Sequence, residues 1–299
     1  MNRTIVTLSL ILAIQLALTV VVYWPHDKMS DSLASEQLLP FSPDTIDEVY
    51  VADENGDEAI LLKMGQQWIL PDLTGLPIDS AMVDKLFSAL DDNDSKWAVA
   101  TTIASRQRFQ VAAYHFQRRL TLISKGELLG SIYLGTSPGF RKVHARNDIQ
   151  EAIYSIPFNN FDAPADSAGW LDKTLLQTRS AQTIEIGGAS VSRHEEQWVS
   201  SSGGVIDQRE MAALRLGLEA IQVNGVADED MQRTLAIAVP ALSLHIIADD
   251  YNRTLQLFTV GEHHYAKSDR YDFFFTLSAY DFDRLASIDL KRLIGIPPP

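Results

Sequence analysis

The chain has 299 residues, 46% of them hydrophobic and 21% charged, a globular composition long enough for more than one domain. Its formal net charge of −14 opposes binding to nucleic acid and peripheral attachment to anionic lipid. With no cysteine, disulfides, thiolate metal sites and cysteine nucleophiles are excluded.

Residues 4–24, TIVTLSLILAIQLALTVVVYW, contain no charge, and Gln15 is their most polar side chain. About 21 helical residues span the roughly 30 Å of a bilayer core. Tyr23 and Trp24 close the run where an interfacial aromatic belt belongs. A cleaved signal peptide is the rival, with SLAS at 32–35 as its cleavage site, but that site lies far from the apolar run. The expectation is a signal anchor over 1–27. Arg3 and the amine before the span favour the short end in the cytoplasm and the body outside, which is the periplasm if this is the inner membrane of a Gram-negative bacterium, a single-pass arrangement. A linker with Pro40 and Pro43 follows over 28–44.

From 45 the pattern alternates. TIDEVYVA (45–52), EAILLK (58–63) and QWIL (67–70) read as three short strands, with Asn55-Gly56 as a hairpin turn. Asp79 then caps a helix whose Val83, Leu86, Phe87 and Leu90 form one apolar face. FQVAAYHF (109–116), RLTLISK (119–125), ELLGSIYLG (127–135), KVHAR (142–146) and AIYSI (152–156) read as a meander.

The same order then recurs. TIEIG (183–187), ASVSRH (189–194) and QWVSS (197–201) form a second triplet, with Trp198 in the place of Trp68. Asp207 caps a second helix, and Glu210 three positions on predicts a capping box. GLPIDSAMVDKLFSAL (75–90) and GGVIDQREMAALRLGL (203–218) align without gaps, pairing Gly75 with Gly203, Ile78 with Ile206, Asp79 with Asp207, Leu86 with Leu214 and Leu90 with Leu218. LSLHIIAD (242–249), RTLQLFTV (253–260), HHYAKS (263–268) and DFFFTLS (272–278) follow as strands, and AYDFDRLAS (279–287) as a closing helix. The fold class expected is α+β: two tandem related units, 45–165 and 166–299, each an antiparallel meander with a packed helix, after one transmembrane helix.

The span, PDTIDEVYV, QWIL with GLPIDSAMVDKLFSAL, SIYLG, and WLDKTLL leading into TIEI together resemble the bacterial family of domain of unknown function 4340. The resemblance covers nearly the whole chain. It implies an envelope protein beside an ABC-type export system of the gliding-motility kind, and it carries over no catalytic residue. No G-x-x-x-x-G-K-[ST] occurs, so any ATP hydrolysis belongs to another subunit.

Residue by residue, little chemistry emerges. His263 and His264 are adjacent on a strand and point to opposite faces, which suits no shared metal. His115, His144, His194 and His245 lie singly among strands. DDNDS (91–95) lacks the glycine and glutamate of a calcium loop, with Lys96 and Thr102 in their places. SSSGG (200–204) has no nucleophile elbow, and GTSPGFRK (135–142) is a turn between strands. Phe273, Phe274 and Phe275 cover both faces of one strand, as core or as an interface. No catalytic residue, metal site or cofactor is expected. The expected role is a non-enzymatic accessory or scaffold contacting inner-membrane transporter subunits or other envelope proteins. The alternatives are a periplasmic small-ligand or glycan-binding module and an envelope enzyme.

Overall fold

The computed structural model describes residues 12, 15, 37–91, 97–195 and 197–293. The expected anchor, apart from Leu12 and Gln15, lies outside the described residues, as do positions 28–36 of the linker and 92–96 after the first capped helix. Among the described residues no helix is long and apolar enough to cross a membrane.

The fold is α+β, built on two eight-stranded sheets. The first contains β1 (Glu48–Asp53), β2 (Glu58–Met64), β3 (Gln67–Leu70), β4 (Leu76–Pro77), β7 (Arg118–Ser124), β8 (Glu127–Leu134), β9 (Val143–Asn147) and β10 (Tyr154–Ile156). Helices α1 (Ser80–Leu90) and α2 (Ile103–Arg108) and a short hairpin, β5 (Val111–Ala112) with β6 (His115–Phe116), interrupt it. The second contains β11 (Ala181–Ile186), β12 (Ala189–His194), β13 (Gln197–Ser200), β14 (Val223–Val226), β15 (Leu242–Ala248), β16 (Asn252–Val260), β17 (His263–Ser268) and β18 (Phe274–Leu277). Its helices are α3 (Gln208–Ala220), α4 (Glu229–Ala236), α5 (Ala279–Ala286) and α6 (Leu290–Leu293).

Read from the third strand, the first sheet runs β3-β2-β1-β7-β8-β9-β10 and the second β13-β12-β11-β15-β16-β17-β18. Seven strands thus follow one order in both. The eighth differs: β4 extends the first sheet beyond β3, and β14 extends the second beyond β18. By compactness the described chain also divides into two units, residues up to Ile46 with Leu86–Asp162, and Asp47–Lys85 with the chain from Ala163 on.

The aligned positions take matching structural roles. Gly75 and Gly203 both have positive φ, +82° and +73°, where a residue without Cβ is favoured. The Asp79 and Asp207 carboxylates each accept the backbone N–H two residues on, at 3.0 and 2.9 Å, a capping bond worth about 1 kcal/mol. Ile78, Leu86 and Leu90 are buried, and so are Ile206, Leu214 and Leu218. The expected capping box does not form. Glu210 instead accepts the Asp289 N–H at 3.1 Å, and the Asp207 N–H goes to the Arg292 carbonyl at 3.2 Å, so the acidic residue that would have closed the box ties α3 to the chain before α6.

Strand alternation explains most of the core. In β15, Leu242, Leu244, Ile246 and Ala248 are buried while Ser243 is exposed and His245 half-buried. β9 departs from this: all five residues are buried, including His144, Arg146 and Asn147. Arg146 is satisfied by carbonyls, its Nε donating to Val111 at 2.8 Å and Nη1 to Asn147 and Gln150 at 2.9 and 3.2 Å, with the guanidinium 5.0 Å from the Tyr133 ring centre. Burial pulls it below the ordinary guanidinium range, and nearby Arg106 adds to that.

His144 stacks on Phe109 at 4.0 Å, and its Nδ1 lies 2.8 Å from the Thr136 carbonyl. Since a carbonyl only accepts, Nδ1 carries the proton. Burial lowers its pKa from the usual 6.5, against a smaller opposing effect of that hydrogen bond. The unfolded imidazole therefore takes up a proton at a higher pH than the folded one. The contribution of His144 to stability is complete above about pH 6.5 and declines as pH falls toward the lowered folded value. Urea midpoints are expected to drop between pH 7.5 and 5.5, and His144→Gln to flatten that slope. An unchanged slope in the variant contradicts the assignment.

One sequence expectation fails between 100 and 116, and one helix there was not expected. Residues 109–116 do not form one strand, because Gln110 adopts φ of +55° and Ala113-Tyr114 turn the chain between β5 and β6. Ahead of them α2 forms from an unrecognised start, Thr102, whose hydroxyl accepts the Ser105 N–H at 3.2 Å. In the second sheet β14, α4 and α6 were likewise not anticipated.

Candidate functional site

A cavity of about 290 Å³ lies between α3 and the β11-β12-β13 meander. It exists because the meander supplies one wall in strict register. Arg193 on β12 pairs across the strands with Trp198 on β13. The first sheet repeats the arrangement, with Lys63 on β2 opposite Trp68 on β3 and the ammonium 5.9 Å from the indole centre. The cation–tryptophan pair thus belongs to the hairpin of both sheets.

The floor of the cavity is apolar, formed by Ile184 of β11 and by Met211 and Leu218 of α3. All three are buried, whereas Trp198 is half-buried and Arg193 exposed. On the helix side Arg215 and Glu219 face the cavity as an i,i+4 ion pair, Nη1 lying 2.9 and 3.2 Å from the two carboxylate oxygens. Both side chains keep substantial solvent exposure, so the pair adds only about 0.3–0.5 kcal/mol to the helix.

The remaining wall is the segment from Thr178 to Ala181. The Thr178 N–H caps the end of α3 by donating to the Leu218 carbonyl at 2.8 Å. Its hydroxyl, with the Leu176 and Gln177 carbonyls, receives the guanidinium of Arg253, which is only 7% exposed. Arg253 also lies 5.1 Å from the Tyr251 ring centre. Burial pulls Arg253 below the ordinary guanidinium range, while Tyr251 and Asp269 partly offset this and Arg270 adds to it. Arginine stays charged under such shifts. A buried cation hydrogen-bonded to neutral oxygens therefore stands behind the cavity wall.

A shallower recess of about 410 Å³ surrounds the Gly187-Gly188 turn of the β11–β12 hairpin, where Glu185 and His245 sit opposite each other across β11 and β15. It has no apolar floor comparable to the first.

Phe274 and Phe275 are buried within their own unit, Phe274 edge-on to Phe258 at 5.2 Å and Phe275 to Tyr271 at 5.7 Å. Phe273 is half-buried. The Gln232 side chain clamps the Phe274 backbone, accepting its N–H at 2.9 Å and donating to its carbonyl at 3.1 Å. His264 stacks on Phe282 at 4.2 Å while His263 is exposed. His115 lies 3.2 Å from the Gln110 amide, which joins a chain of amides through Gln117 to Asn160. His245 pairs with Thr254, and His194 is exposed. Among the described residues no three His, Asp or Glu side chains stand close enough to hold a metal ion.

The sequence matches Trp198 to Trp68 and carries no sign of the cavity. Its signals were local: the Arg193–Trp198 register follows from a two-residue hairpin, and Arg215–Glu219 from helical spacing. What joins them is the packing of α3 on the meander, which no local pattern encodes.

No curated protein and no solved structure matches the chain. The family model described as Domain of unknown function (DUF4340) matches residues 68–237, more than half of the 299-residue chain. That match spans the second cation–tryptophan hairpin, both capped helices and every residue lining the cavity, and the chain belongs to the DUF4340 family.

Proposed function

We propose that this protein is a non-enzymatic scaffold of the bacterial envelope, an accessory of an ABC-type transport system, with one N-terminal span and two tandem related sheet units in the periplasm. The observation that carries the tandem relationship is the shared seven-strand order, joined by the matched glycines, caps and cation–tryptophan pairs. The uncharged run at 4–24 supports the anchor. Support for a partner comes from large apolar side chains held out on loops: Ile237 and Val239 between α4 and β15 are 88% and 89% exposed, and Val205 before α3 is 91% exposed.

The test is co-purification in mild detergent from native membranes. Transport subunits are expected to accompany the wild-type chain and to be lost from Ile237→Asp/Val239→Asp. A chain that emerges alone at every attempt overturns the proposal.

A second reading, a small-ligand or glycan-binding module, is favoured by the cavity between α3 and β11–β13. It combines an apolar floor, a half-buried tryptophan and convergent charged groups, the usual make-up of a small-molecule site.

A further inference from the structure

We infer that the cavity between α3 and the β11-β12-β13 meander binds a sugar acid, a single six-membered ring bearing one carboxylate. The inference rests on the ligand-binding reading above and names its ligand class. Size comes first. About 290 Å³ is at the lower end of small-molecule sites and holds one ring rather than a chain, so an oligosaccharide would enter by a terminal residue.

Shape and polarity come next. Trp198, with Ile184 and Met211 beside it, offers an apolar surface of the kind that stacks on the C–H face of a pyranose. The Arg215–Glu219 pair sets a donor and an acceptor side by side, which suits neighbouring hydroxyls that must each give and accept a hydrogen bond.

Charge then selects the acid. The lining holds two arginines, Arg193 and Arg215, against one carboxylate, Glu219. Arg193 donates its Nε to the Glu195 carbonyl at 3.1 Å, which orients the guanidinium and leaves its fork of terminal N–H groups for a carboxylate. Behind Thr178 the buried Arg253 adds a further positive charge through a low-dielectric wall. The lining thus carries one net positive charge in a chain of net charge −14. A neutral sugar would leave that excess unmatched, and a simple carboxylate would leave the tryptophan and the ion pair unused.

The test uses the full chain in a detergent without a sugar headgroup, titrated calorimetrically at low salt with glucuronate, glucose, acetate and benzoate. Glucuronate is expected to bind at one site, at least tenfold more tightly than the other three. Arg193→Gln and Trp198→Ala are each expected to weaken it at least tenfold, and Lys63→Gln, at the matching place in the first sheet, to leave it unchanged. Arg193→Gln changes an exposed side chain and keeps the test valid if Trp198→Ala fails to fold. Acetate or benzoate binding as tightly as glucuronate, with dependence on Arg193, overturns the sugar-acid class while the ligand-binding reading stands. Absence of heat from all four ligands removes both. Glucuronate binding that ignores both substitutions places it elsewhere and overturns the inference.

Discussion

Gly135→Ala is expected to destabilise the protein by roughly 3 kcal/mol or more, at the upper end for an overpacked site. A Cβ at this position would stand 1.9 Å from the Phe109 carbonyl oxygen and 2.5 Å from that of Gln110. These are backbone atoms, so no rotamer change relieves the clash. They are also pinned: the Phe109 carbonyl accepts the Thr136 N–H at 2.9 Å, and Gly135 itself bonds the His144 carbonyl at 2.9 Å and the Asn160 amide at 2.8 Å. The chain after α2 can lie against the end of β8 only because residue 135 has no side chain. Gly139→Ala, four residues on, meets nothing within 4 Å and is expected to change stability by less than about 0.5 kcal/mol. Urea denaturation of the two variants decides the matter. Equal midpoints contradict the close approach.

Trp170→Ala is expected to cost about 3–5 kcal/mol. Trp170 is fully buried, and its Nε1 donates to the Pro164 carbonyl at 2.7 Å. Truncation removes the largest fully buried side chain among the described residues and leaves that carbonyl without its donor. The damage extends along the backbone. The Trp170 carbonyl accepts the Asp79 N–H at 2.9 Å, Leu171 bridges Ile78 in antiparallel fashion, and the Asp172 N–H donates to the Pro77 carbonyl at 3.0 Å. The segment APADSAGWLDKTLL thus holds the start of the first capped helix in place. Trp170→Phe keeps most of the apolar volume and loses the hydrogen bond, so its cost is expected to fall near 1–3 kcal/mol. If the alanine variant melts with the wild type, Trp170 does not anchor this segment.

Most of the strand framework was legible before any coordinates. QWIL, ASVSRH and HHYAKS coincide with β3, β12 and β17 to the residue, because turn residues bound each. The capped helices were legible from Asp79 and Asp207 together with their apolar faces. Failures came where a single residue overrode the pattern. Gln110 has no side-chain reason visible in sequence for a left-handed φ, yet that φ breaks the strand expected over 109–116. Glu210 obeys the capping-box spacing, but α6 lies near enough to claim its carboxylate for Asp289. α4 does carry a readable signal: Asp228 accepts the Met231 N–H at 2.8 Å, and Glu229 and Asp230 follow in the first turn. The cavity required knowing that Met211 and Leu218 of α3 line the same space as Arg193 and Trp198 of the second hairpin, an arrangement with no local signature.

We propose that a single N-terminal span carries the twin-sheet body beyond the bilayer. Because the chain has no native cysteine, one can be placed at an exposed turn of each sheet, Asn55→Cys in the first and Glu262→Cys in the second, without background. Spheroplasts are then treated with a membrane-impermeant maleimide. Both positions are expected to label fully while the inner membrane is intact. Labelling that occurs at either site only after the membrane is broken would contradict the account.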